Sequence, residues 1–253
     1  MTGHATQGIL PLLAAASLLI TACSDDSSSV TKERSPTTPS SSAPGDSTHP
    51  SWELLSNEPE GVPLAAGTYG LTPGASSEHV AVVQAPGGYE AYGGWTFVTG
   101  EEQPRALFHA VGILTADQVY PDPCASTRSK AAMLRDPGPT VADLAEALVA
   151  QQGVTTSTPR PVTLDGHRGL YLDYEVSKGV DVRDCGDEAF DIFGSAAGAS
   201  WYLEAARERA AIWILDVDGE RLVLSWVAFP GVSDSELDEM TAMAESARFV
   251  ESE

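Results

Sequence analysis

Positive charge is scarce in this sequence. Fourteen Lys and Arg stand against 36 Asp and Glu, which leaves a formal charge of −22. So negative a surface repels phosphate backbones, and nucleic acid is excluded as a partner. Anionic headgroups and anionic wall polymers are repelled for the same reason. Cysteine is also scarce, with three residues in 253. No apolar run reaches the roughly 20 residues a membrane-crossing helix needs. The longest, Ile9 to Ala22, has fourteen residues and is broken in polarity only by Ser17 and Thr21. Catalytic and cofactor signatures are missing as well. There is no Gly-x-Ser-x-Gly, no His-Glu-x-x-His and no Walker-type phosphate loop. The expectation is a protein with no metal centre, no cofactor and no catalytic motif legible in the chain.

A fourteen-residue apolar run with small residues at its end suits the core of an export signal. It closes on Leu18-Leu19-Ile20-Thr21-Ala22-Cys23. An aliphatic residue, two small residues and a cysteine resemble the lipobox of bacterial lipoproteins. The resemblance implies a signal peptide over 1–22. It also implies that Cys23 is the lipid attachment residue, palmitate-bearing and N-terminal after processing. The segment before the apolar run, Met1 to Gly8, departs from the usual pattern in having no Lys or Arg.

Residues 23–50 then read as a lipid-anchored linker. Over 24–50, nine of 27 residues are Ser, four Thr and four Pro, and Val30 is the one large aliphatic side chain. Such a segment buries too little apolar surface to offset its ordering entropy, so it is expected to be disordered. As a coil it spans on the order of 30 Å, and roughly 90 Å when stretched. That is a tether between a membrane face and a folded domain at 51–253. The linker holds Lys32 and Arg34 against Asp25, Asp26, Glu33 and Asp46, which leaves the domain 12 basic and 32 acidic residues. The expected location is the extracytoplasmic face of the cell membrane, with the lipid as the contact to it.

With Cys23 assigned to lipid, Cys124 and Cys185 remain. An isolated pair outside the cytoplasm is expected to be oxidised to a disulfide. The other reading, a metal site with His109 and His167, has no ligand spacing behind it. Two acidic stretches also bear on metals. Asp216-Val217-Asp218-Gly219-Glu220 echoes the start of a calcium loop but lacks its later ligands, and a hairpin turn accounts for it. Asp181, Asp184, Asp187, Glu188 and Asp191 surround Cys185 and read as a solvated loop.

Two helices are signalled. Thr140 is a candidate N-cap with Asp143 in the first turn, followed by an apolar stripe of Val141, Leu144, Ala145, Leu148 and Val149, with Gly153 as the stop. Ser233 and Glu236 form a capping box ahead of Leu237, Met240, Ala244 and Ala247. Asp165-Gly166 and Asp218-Gly219 each join two strand-like arms, Pro161–Asp165 to His167–Ser177 and Ala211–Val217 to Glu220–Phe229. The arms of the second hairpin are apolar on both faces, which places them centrally under cover on both sides. Thr68–Leu71, His79–Gln84, Trp95–Val98 and Ala106–Leu114 read as further strands, and Phe249-Val250 as a closing segment. The order predicts an α+β domain with a mainly antiparallel sheet covered by amphipathic helices. Pro86 to Trp95 reads as a glycine-rich loop. Its Tyr89, Tyr92 and Trp95 recur every third residue, as a possible ligand loop if exposed or a lid on the sheet if buried.

Tyr69-Gly70-Leu71-Thr72-Pro73, Val119-Tyr120-Pro121-Asp122-Pro123-Cys124, Pro139-Thr140-Val141-Ala142-Asp143-Leu144 and Trp213 to Leu222 resemble a family of uncharacterised actinobacterial secreted proteins and lipoproteins, over most of residues 65–250. That family brings no established activity. The element order is similar to the PsbP/Mog1-like fold, in which an antiparallel sheet is sandwiched by helices. The function expected first is a non-catalytic binding or accessory domain at the cell envelope, held to the membrane and meeting an envelope protein or ligand. The alternatives are a cell-envelope hydrolase using a carboxylate pair that no spacing singles out, and a purely structural subunit.

Overall fold

The computed structural model describes residues 52–74, 77–99, 107–125, 134–195 and 200–252. The signal segment, Cys23 and the linker to residue 50 lie outside the described residues, as does the start of the strand expected at Ala106. Among the described residues no helix is long and apolar enough to cross a membrane.

The element order is β1 (Glu53–Leu54), β2 (Gly67–Leu71), β3 (His79–Ala85), β4 (Tyr89–Tyr92), β5 (Thr96–Thr99), β6 (His109–Thr115), β7 (Gln118–Val119), α1 (Val141–Val149), β8 (Val154–Thr156), β9 (Arg160–Leu164), β10 (His167–Val176), β11 (Phe190–Gly194), β12 (Ser200–Leu203), β13 (Arg209–Val217), β14 (Glu220–Ala228), α2 (Asp234–Glu245) and β15 (Arg248–Glu251). The fold is α+β and mainly antiparallel. The large sheet runs β4-β5-β6-β14-β13-β10-β8, with β9 also on β10. Smaller sheets run β1-β2-β3-β15 and β12-β11-β7. The pairing of β1 with β2 is parallel.

The doubly apolar hairpin sits where its pattern places it. β13 lies between β14 and β10, and β14 between β13 and β6. One face of these strands, with Trp213, Leu215, Leu222 and Leu224, packs against α2 and the β2-β3 side. The other, with Ile212, Ile214 and Val223, packs against α1 and the β11-β12 side. Helices alone do not cover the sheet, and here the expectation needs correction. Helices of 9 and 12 residues are about 14 and 18 Å long. Seven strand positions span about 29 Å. The two small sheets supply the remaining cover. On the second face, Gly112 of β6 leaves room for a Trp201 ring atom 3.1 Å from where a Cβ would stand.

Both helices start at reciprocal capping boxes. Thr140 Oγ1 accepts from Asp143 N (3.1 Å) while Asp143 Oδ2 accepts from Thr140 N (2.9 Å). Ser233 and Glu236 repeat the device at α2. The hydroxyl and then the amide of the capping residue hold the Asp143 and Glu236 carboxyls below the ordinary range. Both contributions are full above that range and fade as pH falls through it, and both groups are so exposed that the effect is small. Val149, expected in the apolar stripe of α1, is exposed. It lies about 80° round the helix from Val141, beyond the buried set Leu144, Ala145 and Leu148. Ala150 ends α1, and Gly153 at φ +75° turns the chain into β8.

Asp165-Gly166 and Asp218-Gly219 all have positive φ, as two-residue hairpins of this type require. Both tips are fastened. Asp165 Oδ2 accepts from Phe249 N (2.8 Å), and Glu220 Oε2 meets His79 Nδ1 (2.9 Å). The closing segment at Phe249-Val250 is β15, paired antiparallel with β3. The glycine-rich stretch at 86–95 is more ordered than a loop. Residues Tyr89–Tyr92 form β4, paired with β5, because turns at Gly87-Gly88 and Gly93-Gly94 fold it back as a hairpin.

Candidate functional site

Cys124 and Cys185 are joined in a disulfide, with Cα atoms 4.4 Å apart and a sequence separation of 61. The bond ties the segment before Ala125 to the 3₁₀ turns at Val182–Asp184 and Gly186–Glu188. Gly186 N to Ala125 O (3.2 Å) and Asp191 N to Pro123 O (3.2 Å) flank it. The surrounding acidic residues are engaged in part. Asp181 binds Arg183 (Nη2 to Oδ2, 2.6 Å) and caps the first of these turns. Asp216 accepts from Gly219 N (2.9 Å), an ordinary hairpin contact. Among the described residues no group of three or more His, Cys, Asp or Glu side chains converges as metal ligands would.

The three aromatic residues of the 86–95 stretch do not share one surface. Tyr89 is buried, with its ring edge-on to Phe97 and His109. Its hydroxyl lies 3.1 Å from His109 Nε2 and 3.4 Å from Glu239 Oε1. Burial, then the charge of Glu239, pushes its pKa well above the usual tyrosine value. Tyr92 is exposed, and Trp95 is half-buried between Tyr92 and the buried Trp201. The rings meet at 69° and 60°, so they form a row of edge contacts and not a flat stacking platform.

A polar cleft lies elsewhere, at the end of β10 and the start of β13. The strand pairing sets Glu175 directly opposite Arg209. The turn before β13 is clamped from inside. Glu208, 1% exposed, accepts with Oε2 from Glu204 N (2.6 Å) and Ala205 N (2.9 Å). Arg207 N donates to Val176 O (3.0 Å) and Val176 N to Glu208 O (3.0 Å). Held at both ends, Arg207 takes φ +63°, a conformation that costs a non-glycine residue free energy. Its Nε lies 3.6 Å from Glu175 Oε1. Across the gap, the link from β14 to α2 presents Pro230, Val232, Ser233 and Asp234. The cleft is open to solvent on one side and holds about 430 Å³.

A second cleft of about 440 Å³ lies along the same turn, with Lys178, Asp181, Arg183 and Glu204 on its rim. Four of the chain's fourteen basic residues therefore line two clefts that share the 204–207 turn. Arg207-Glu208-Arg209 was the available signal in the sequence: two of few cations, one residue apart.

Replacing Glu208 by Ala is expected to cost about 2 kcal/mol, since it orphans two backbone donors beside a strained residue. Urea denaturation reads the change. A midpoint within error of the parent would remove Glu208 as the clamp.

The chain matches no protein-family model and no curated protein sequence. Among solved structures it is similar to the solution structure of cyanobacterial PsbP (CyanoP) from Synechocystis sp. PCC 6803. That likeness has 14% identity, covers 76% of this chain and 96% of the other, and has a TM-score of 0.34. It is a weak likeness of fold and carries no functional argument.

Proposed function

We propose that this chain is a lipid-anchored protein of the extracytoplasmic membrane face, of the actinobacterial secreted type, whose folded domain binds a partner or ligand at the cell envelope. The observation that carries the reading is Cys23, placed at the end of Ile20-Thr21-Ala22 and at the junction of an apolar run and a Ser/Thr/Pro tether. The Cys124–Cys185 disulfide supports it, because such bonds persist in oxidising spaces and are rare in the cytoplasm. The charge of the domain supports it in a second way. A surface with 12 basic and 32 acidic residues has no attraction for an anionic bilayer, so attachment needs a separate anchor.

The test is expression of the full chain with its own N-terminus in an actinobacterial host supplied with labelled palmitate. The wild-type chain is expected to take up label and to sediment with membranes. Cys23→Ser is expected to lose the label and leave the membrane fraction almost entirely, because no surface attraction holds it there. Label retained by Cys23→Ser, or membrane association unchanged without it, would overturn the anchoring.

A further inference from the structure

The charges of the cleft between β10, β13 and the start of α2 are unusual for this molecule. The whole chain has 36 acidic to 14 basic residues, yet this cleft is lined by two of each, Arg207 and Arg209 against Glu175 and Asp234. Strand register sets Glu175 opposite Arg209, but its carboxylate lies toward Arg207 instead. Among the described residues, the Arg209 side chain has no ion pair or hydrogen bond. A half-buried arginine whose side chain has no partner, in a chain so rich in carboxylates, is a donor fork left open to the cleft. The neighbouring Arg207 is held in a strained backbone conformation by the buried Glu208 clamp, so the turn is set before anything binds.

We infer that this cleft binds the zwitterionic end of a small peptide or amino acid, its carboxylate on Arg209 and Arg207 and its ammonium on Glu175 and Asp234. The inference rests on the reading of the domain as a binding module and names the chemistry of its ligand. Two physical points select this class. A dianionic phosphate would gain from the arginines but meet two carboxylates on the same walls, whereas a group carrying one charge of each sign is matched on both sides. The space, about 430 Å³, lies at the small end of ligand sites, and the exposed Pro230 offers a short apolar edge that suits a methyl-sized side chain. A dipeptide of alanine fills that description.

The experiment is calorimetric titration of the full chain, in detergent, with alanyl-alanine, its C-terminal amide, its N-acetyl derivative and inorganic phosphate. Saturable binding of alanyl-alanine is expected, with each blocked dipeptide at least about tenfold weaker, as loss of one charge-assisted contact implies. Phosphate is expected to bind no better than the blocked forms. Arg209→Gln should weaken alanyl-alanine about tenfold at an unchanged melting temperature, Arg209→Lys should retain part of the affinity, and Arg168→Gln, on the far end of β10, should change nothing.

Absence of saturable binding at about 10 mM dipeptide overturns the inference. So does equal affinity for the amide or for phosphate, or full affinity in Arg209→Gln. If Arg209→Gln fails to fold, Glu175→Gln takes its place, with the same tenfold loss expected and undiminished affinity counting against the site. Palmitate labelling separates this outcome from the anchoring: an anchored chain that ignores the dipeptide sinks the ligand chemistry alone. An unanchored chain that binds it leaves the cleft assignment standing.

Discussion

Reducing the Cys124–Cys185 disulfide is expected to lower the stability of the folded domain by about 4 kcal/mol. The two cysteines are 61 residues apart, and closing a loop of that length removes about this much chain entropy from the unfolded state. The native side adds to the loss. Cys185 is buried among Val182, Phe190 and their neighbours, and the bond holds the segment at Cys124 against the turns at 182–188. For a domain of this size the change corresponds to a fall of roughly 10 °C in melting temperature. Thermal unfolding with and without reductant measures it, and the Cys124→Ala, Cys185→Ala double variant should match the reduced protein. A reduced protein that melts with the oxidised one would mean that strand pairing alone holds these segments together. The prediction also bears on location, since a domain that depends on this bond is compromised wherever thiols are kept reduced.

Gln151→Leu is expected to cost a similar amount, about 4 kcal/mol, through a different mechanism. Gln151 follows α1 and is 6% exposed. Its Nε2 donates to Tyr120 O (2.9 Å) and Ile192 O (2.7 Å), and its Oε1 accepts from Tyr174 Oη (2.8 Å). One amide thus links α1, the segment after β7, β11 and β10. Leucine keeps the bulk and removes all three bonds, taking the partner from the Tyr174 phenol and the Tyr120 carbonyl and leaving Ile192 O only the longer bond from Tyr120 N (3.4 Å), at about 1–3 kcal/mol for each group left unsatisfied. Burial pushes the Tyr174 pKa far above its usual value, so the phenol keeps its proton and stays a donor. Tyr174→Phe alone should cost about 1–2 kcal/mol. The double variant should cost less than the sum of the two single changes, because each removes the same bond. Urea denaturation of the three variants supplies the cycle. A cost under about 1 kcal/mol for Gln151→Leu, or strict additivity, would show that water or a shifted backbone takes the place of the amide.

Both effects come from long-range contacts, and they mark where reading the chain stops. The elements legible in the sequence depend on neighbours a few residues apart. Thr140 with Asp143 and Ser233 with Glu236 cap helices within one turn. Asp165-Gly166 and Asp218-Gly219 set two hairpins because both residues of each pair take positive φ. The doubly apolar runs of β13 and β14 required a central place with cover on both faces. The disulfide was legible by count, since one assignment of three cysteines left a single pair.

The misreadings have a common cause. β4 was obscured by the glycines that make its turns, and the cover on the sheet was assigned to helices because short strands at 118–119, 190–194 and 200–203 carry weak local signals. Val149 follows the helical spacing of its stripe yet falls outside the buried arc.

By itself, the sequence determined the charge, the capped helices, the paired hairpins, the single cysteine pair and the α+β class, and it is the source of the proposal that Cys23 anchors the chain. Each follows from composition or from residues close along the chain, where one turn or one strand pair is enough to express the pattern. The tertiary structure alone decided that Gln151 joins four segments and that Arg207 and Arg209 meet Glu175 and Asp234 around one cleft. Residues 175, 207, 209 and 234 come together only through the register of β10 on β13 and the return of the chain into α2. That register is a property of the assembled sheet, and no local pattern in the chain encodes it.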